Sequence, residues 1–204
     1  MSDKGLLLDF GGVMTPSMIG RMAEFCVEAG LPPDAIVNAL RTEECRTVMA
    51  LAEAGLAPQR DFEVVIARQL GLPDGGLIAR LLALDAMPPR PEMVDLARRA
   101  RAARIPTGVL SNSLGGGGYD VYTGYDLPGL FDVIVISHEV GLRKPEPPIF
   151  KLAADRLGLA LEDCVFVDDT LTHVKAAREL GMAAVHFTGE AEELAEIERL
   201  IGLA

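Results

Sequence analysis

The sequence predicts an α/β fold: a parallel sheet covered by helices on both faces, with an all-helical insertion after the first strand. Three observations carry this. Five short runs, Gly5–Asp9, Pro106–Ser111, Asp132–Ser137, Cys164–Asp168 and Ala184–Thr188, are apolar without alternation, the pattern of parallel strands buried on both faces. Helical patterns lie between the later runs, so strand and helix alternate as in βαβ units, which makes the core Rossmann-like. Between the first run and Pro91 about eighty residues show helical periodicity and no strand pattern.

Each element has a local reason. Pro91–Arg104 carries Met93, Leu96, Ala97 and Ala100 at three-to-four spacing, with Pro91 at a favourable helix start. Pro147–Leu157 repeats this with Ile149, Phe150, Leu152, Ala153 and Leu157, closed by Gly158. Leu171–Leu180 ends at Gly181 in the same manner, and Ala191–Leu200 alternates Glu with apolar residues. In the long gap, helices are expected over Ser17–Ala29, Pro33–Leu40, Thr47–Ala54, Asp61–Leu70 and Gly76–Leu84. Turns at Gly30-Leu31-Pro32, Gly55-Leu56 and Leu72-Pro73-Asp74-Gly75 separate them. The expected division is therefore a core of residues 1–16 and 88–204 and a cap of residues 17–87. The glycine run Gly115–Gly118 lacks the context of a phosphate-binding loop and reads as a plain loop.

Length and composition narrow the function classes. A chain of 204 residues suits one domain with a sizeable insertion. Half of it is apolar and its mean hydropathy is +0.26, which excludes global disorder. Thirty acidic against 19 basic residues give a net charge of −11. That balance argues against nucleic acid or an anionic membrane as partner, since both demand a positive footprint. No apolar run reaches the ~18 residues of a membrane helix, and Leu6-Leu7-Leu8 is too short for a signal-peptide core. A cytoplasmic protein, monomeric or homodimeric, is expected. Cys26, Cys45 and Cys164 have no metal-ligand spacing and read as buried reduced thiols. Of the 19 basic residues only four are lysines, so a lysine in a special place stands out.

In open α/β sheets ligands bind outside the carboxyl ends of the strands. The residues found there are Asp9 after the first strand, Ser111-Asn112 after the second, a loop with Lys144-Pro145 after the third, and Asp168-Asp169 after the fourth. Asp is poor in strands and costly to bury unpaired, so carboxylates delivered at two strand ends call for a chemical reason. Three of them on one rim would repel unless a cation sat among them. Oxygen ligands alone favour a hard ion such as Mg²⁺ over Zn²⁺. Lys144 balances the remaining charge or holds an anionic substrate group, and Ser111 with nearby main-chain N–H groups is suited to phosphate oxygens.

Asp9-Phe10-Gly11-Gly12-Val13, Leu110-Ser111-Asn112, Lys144-Pro145 and Val167-Asp168-Asp169, in that order, resemble the four motifs of the haloacid dehalogenase-like (HAD) hydrolase superfamily. The resemblance covers essentially the whole chain, including the helical cap. Its phrasing is most similar to the subgroup with the soluble epoxide hydrolase N-terminal phosphatase domain and small sugar-phosphate phosphatases. The resemblance implies a Mg²⁺-dependent phosphatase of a small phosphorylated metabolite. Asp9 would be the nucleophile, forming an aspartyl-phosphate. It would also bind the metal, with the carbonyl of Gly11 and the side chain of Asp169. Ser111 and Asn112 would hold the phosphoryl group, and Lys144 would stabilise its charge. Asp168 would position Lys144 or a metal-bound water, so it stands either as a structural partner or as part of the metal site. The cap would exclude water and choose the substrate.

Two positions depart from the pattern. The general acid–base Asp expected two residues after the nucleophile is Gly11, and that role is worth roughly 10²–10⁴-fold. His173 stands where related sequences place Asn or Asp, and is expected beside the metal shell rather than in it. His138 and His186 read as structural. The rival readings are a HAD hydrolase acting on a non-phosphate substrate, and a degenerate member that binds a ligand or protein. Thr15, Arg21 and Arg46 are the candidates for residues of the cap region facing the site.

Overall fold

Leu6, Leu7 and Leu8 carry the chain through the middle of the sheet, each without solvent exposure. They belong to β1 (Gly5–Leu8), paired with β2 (Thr107–Ser111) on one side and β4 (Cys164–Asp168) on the other. β3 (Val133–Ile136) adds to β2 and β5 (Ala183–His186) to β4. The computed structural model describes residues 4–73, 75–83, 85–115 and 119–203. Among these the sheet is five-stranded and wholly parallel, in the order β3-β2-β1-β4-β5. The α/β class read from the apolar runs is the one observed.

The helices fall into two groups along the chain. Five follow β1: α1 (Met18–Glu28), α2 (Ala35–Leu40), α3 (Glu43–Glu53), α4 (Gln59–Leu70) and α5 (Leu77–Leu81). The others join or follow the later strands: α6 (Pro91–Ala102), α7 (Leu127–Leu130), α8 (Ser137–Val140), α9 (Pro147–Leu157), α10 (Leu171–Glu179) and α11 (Ala191–Ile201). Alternation along β1 sorts them into layers. Leu6 and Leu8 pack with Met93 and Leu96 of α6 and Ile197 and Ile201 of α11. Leu7 faces the other way, onto Ile149 and Phe150 of α9 and Val174 of α10. The strands carry apolar side chains on both faces because both faces are covered.

Helix boundaries differ from expectation where a local cap decides them. α3 begins at Glu43, four residues before the expected Thr47. The Thr42 hydroxyl accepts the Cys45 N–H, and Glu43 and Glu44 favour the positive end of the helix dipole. α4 starts at Gln59, directly after Pro58. α5 is shorter than Gly76–Leu84 because Gly76 is left-handed and only Leu77–Leu81 is helical; Leu84 and Asp74 lie outside the described residues. The glycine run is described only at Gly115. α7 and α8, four residues each, are too short to show as a period in sequence. The three cysteines are buried and unbridged. No helix among the described residues is long and apolar enough to cross a membrane.

α1–α5 have their own apolar centre, with Phe25, Ile36, Phe62, Ile66 and Leu77 buried and Leu114 and Tyr119 of the β2–α7 connection packed against it. Just beyond α3, Gly55 meets α8, where any side chain would strike the carbonyl oxygen of His138. The sheet changes direction at β1: the chain steps from β1 outward to β2 and β3, then crosses back to β4 and β5. That switch point, between the carboxyl ends of β1 and β4, is where such sheets open a crevice.

Candidate active site

Asp9 is the first residue beyond β1, and its N–H continues the ladder to the Val167 carbonyl at 2.8 Å. Its extended backbone caps the wide turn Phe10–Met14, and Oδ1 accepts the Phe10 N–H at 2.7 Å. Inside that turn Gly12 has φ 81°, a left-handed conformation, and any Cβ there would collide with the Asp169 carboxylate. Asp168 is the last residue of β4, so two adjacent parallel strands end in carboxylates at the switch point.

Lys144 arrives from the β3–α9 side, almost fully buried, and is joined to Pro145 by a cis peptide. Its ammonium donates to Asp9 Oδ1 at 2.7 Å and Asp168 Oδ2 at 2.6 Å, and lies 5.5 Å from the centre of the Phe166 ring. Asn112 clamps the lysine's main chain from both sides: Oδ1 accepts Lys144 N–H at 2.9 Å and Nδ2 donates to the Lys144 carbonyl at 3.0 Å. Asp168 Oδ1 accepts the Thr170 N–H at 2.7 Å, and His173 Nδ1 lies 3.1 Å from both Asp168 oxygens. Asp169 accepts from the Thr170 hydroxyl at 3.1 Å, while His186 Nε2 donates to the Asp169 carbonyl at 2.9 Å. Ser111 Oγ accepts the Tyr122 hydroxyl at 2.8 Å.

The electrostatics follow from burial and this pairing. Burial and the neighbouring Asp168 push the Asp9 carboxyl up against the opposing pull of Lys144. Burial also works on Asp168, but Lys144 and His173 together hold it below the usual carboxylate range. Asp169 is raised by burial and by Asp168. Burial would lower the Lys144 ammonium, yet Asp9 and Asp168 raise it above its ordinary value, so it stays charged. Three carboxylates and one ammonium leave excess negative charge in a half-enclosed place. Asp9, Asp168 and Asp169 each offer an oxygen within 4.8 Å of the others, a hard-oxygen set that suits Mg²⁺. With both Asp168 oxygens already engaged, Asp9 and Asp169 are the better-placed donors.

Four of the residues singled out in the sequence, Asp9, Lys144, Asp168 and Asp169, thus meet at one rim, with Ser111 and Asn112 beside them. Asn112 is occupied with holding Lys144. Gly11 and Thr15 line the same cavity, whereas Arg21 and Arg46 do not. Arg21 points away, into Glu28 and the carbonyls of Arg80 and Leu81, and Arg46 is exposed. Several neighbours were not singled out. Glu53 of α3 accepts from Arg143, with its oxygen 2.6 Å from an Arg143 guanidinium nitrogen and 3.5 Å from Asn112 Nδ2. Its spacing from Cys45 and Met49 continues an apolar helical stripe with a charge, which was the available signal. Burial raises the Glu53 carboxyl against the pull of Arg143. Tyr122, its hydroxyl pushed up to about 12 by burial, and Tyr125 pack edge-on to Phe10 with ring centres 4.7 Å away.

Residues 4–181 match the family model of haloacid dehalogenase-like hydrolases. The porcine (Sus scrofa) bifunctional epoxide hydrolase 2 is 40% identical over 73 residues, 36% of this chain and 13% of its own length, so the chain matches a small part of that longer protein. A glyceraldehyde 3-phosphate phosphatase of Methanopyrus kandleri is 27% identical over 197 residues, covering 89% of this chain and 82% of its own. Among solved structures, a HAD family enzyme of Bacteroides thetaiotaomicron in complex with magnesium and inorganic phosphate superposes with a TM-score of 0.65 at 22% identity. It covers 92% of this chain and 96% of its own.

Proposed function

Since the chain belongs to the haloacid dehalogenase-like hydrolases, we propose that it is a Mg²⁺-dependent phosphatase acting in the cytoplasm, as monomer or homodimer, on a small phosphorylated molecule. The observation that carries this is the buried Lys144 ammonium shared by Asp9 and Asp168 beside Asp169. A fixed cation against a strand-end carboxylate suits transfer of an anionic group to that carboxylate. The glyceraldehyde 3-phosphate phosphatase that aligns with most of the chain supports the same reaction type.

In this reading residues 17–87 form a cap over a core of residues 1–16 and 88–204. One Asp9 oxygen is held by Phe10 N–H and Lys144, and the other attacks phosphorus as the bond to the leaving oxygen breaks. The departing alkoxide takes a proton from water; a second water then attacks phosphorus, the bond between phosphorus and the Asp9 oxygen breaks, and phosphate leaves with Asp9 restored as a carboxylate. Lys144 stabilises the equatorial oxygens, Ser111 hydrogen-bonds one of them, and Asn112 fixes Lys144 through its main chain. Asp168 and His173 orient the ammonium. Asp9 and Asp169, with the Gly11 carbonyl, would hold Mg²⁺, which when bound offsets the charge of the phosphoryl group.

Release of phosphate from p-nitrophenyl phosphate and a panel of phosphate esters, with and without Mg²⁺, tests the reading. The expected result is Mg²⁺-dependent turnover that Asp9→Asn abolishes; wild type and mutant equally inert would overturn it. Gly11, with no side chain to donate the proton, favours a second reading, a member that binds phosphorylated ligands without turning them over. That reading predicts Mg²⁺-dependent phosphate binding with no ester cleaved.

A further inference from the structure

The rim that carries Asp9 opens into a cavity of about 650 Å³, within the roughly 300–1,000 Å³ of small-molecule sites. One end holds the carboxylates and Lys144. The other runs in among α1–α5, walled by Met22, Ile36, Met49, Phe62, Ile66 and Leu77. Four of these, Ile36, Phe62, Ile66 and Leu77, are also the buried centre of that helical group, between 1% and 4% exposed. These four are packed by their neighbours, and the half-buried Met22 and Met49 carry more of the apolar surface that faces the cavity. Protein interiors are ordinarily filled to crystal-like density, and an apolar void sheds water and takes up apolar molecules.

Several polar groups that reach the wall are already engaged by the protein. The Gln59 amide exchanges bonds of 3.1 and 3.0 Å with the Tyr119 main chain. The Tyr125 hydroxyl donates to the Met87 carbonyl and the Tyr122 hydroxyl to Ser111. Thr15 accepts the Gly12 N–H, and Arg143 is paired with Glu53. A sugar entering here would give up water at each hydroxyl and meet few polar groups not already bonded within the protein. Ile19 of α1 and Leu171 of α10, 66% and 45% exposed, add apolar surface to the cavity lining.

We propose that the substrate is a phosphate monoester of a long, apolar alcohol, its phosphate at Asp9 and Lys144 and its hydrocarbon tail in the chamber enclosed by α1–α5. This rests on the phosphatase reading and names the substrate class for it. The polar end is fixed by one small charged cluster, so selectivity comes from the tail: each methylene moved from water into the chamber favours binding.

The test is a homologous series, butyl to dodecyl phosphate, kept below micelle-forming concentrations, with Mg²⁺. The expected result is a kcat/KM that rises about 100-fold from butyl to dodecyl, well under the full transfer value of the added methylenes. Met49→Trp, which puts an indole into the chamber, should lower the dodecyl-to-butyl ratio about ten-fold, and Met22→Trp probes a second wall should the first variant not fold. Turnover that is flat along the series, or a ratio that neither variant changes, overturns the chamber as tail site and leaves the phosphatase reading standing. Hydrolysis of no ester in the series while p-nitrophenyl phosphate is cleaved overturns this inference alone; hydrolysis of neither overturns the phosphatase reading, and this inference with it.

Discussion

Gly12 and Asp169 are packed so closely that the left-handed backbone of the first leaves the carboxylate of the second no room for a side chain beneath it. The contact joins the turn after β1 to the loop after β4. It sets the spacing of Asp9 from Asp169, and hence of the two carboxylates best placed to hold a cation.

Gly12→Ala should therefore do more than strain one residue. The left-handed conformation alone costs a non-glycine residue about 1–2 kcal/mol, and the added methyl must displace Asp169. The expected outcome is a stability loss of at least about 1 kcal/mol in urea unfolding and a loss of phosphate release of about 100-fold or more. A variant as active as wild type would show that Asp169 tolerates displacement.

Much of this site is legible in sequence because parallel strands buried on both faces must be apolar throughout. An Asp at the end of such a run is conspicuous, and Asp9 and Asp168 announce themselves without any contact being known. Lys144 is visible because lysine is rare here. What is not legible depends on contacts between distant segments. Asn112 reads as a phosphate contact, yet its amide matches the Lys144 main chain 32 residues away. Glu53 and Arg143 are ordinary charges until α3 brings them together. The hollow among α1–α5 is invisible to periodicity, because a side chain facing a cavity and one facing a neighbour give the same apolar spacing.

Glu53 and Arg143 link α3 to the loop of Lys144. Glu53→Ala leaves the guanidinium without its carboxylate and should cost about 1–3 kcal/mol. The clearer signature is local: amide exchange in α3 and the neighbouring helices should accelerate more than in the sheet. Uniform exchange across α3 and the sheet would mean that the pair does not hold the two together.

Mg²⁺ should stabilise the protein more as pH rises. The Asp9 carboxyl is pushed up by burial and Asp168, so the metal-free folded state keeps a proton there that the unfolded chain has lost. A carboxyl raised in this way contributes stability at low pH that is lost as pH climbs from the ordinary carboxylate value towards the raised one. Mg²⁺ must displace that proton, which costs less at higher pH. At Mg²⁺ about 100-fold over its Kd the gain is about 2.7 kcal/mol, several degrees in Tm for a chain of this size. The Tm shift on adding Mg²⁺ should be clearly larger at about pH 8 than at about pH 5.5, and Asp9→Asn should flatten the difference. An equal shift at both pH values in wild type would place the cation elsewhere.

Gly11 is the position where a proton donor is missing, and the backbone there can accept one. Its φ of −70° and ψ of 125° suit any residue. A Cβ would meet only Met18 Cε, at an ordinary 3.5 Å, and the residue lines the cavity that holds Asp9. Gly11→Asp should therefore fold as wild type does and present a carboxyl to the leaving group. General acid–base assistance is worth roughly 10²–10⁴-fold where proton transfer limits the rate, so kcat should rise by about ten-fold or more for alkyl phosphates. For p-nitrophenyl phosphate, whose phenolate leaves without a proton, the gain should be much smaller. Equal gains on both esters would mean that the new carboxylate acts by charge or metal binding, and no gain on either would mean that protonation of the leaving group is not the slow step.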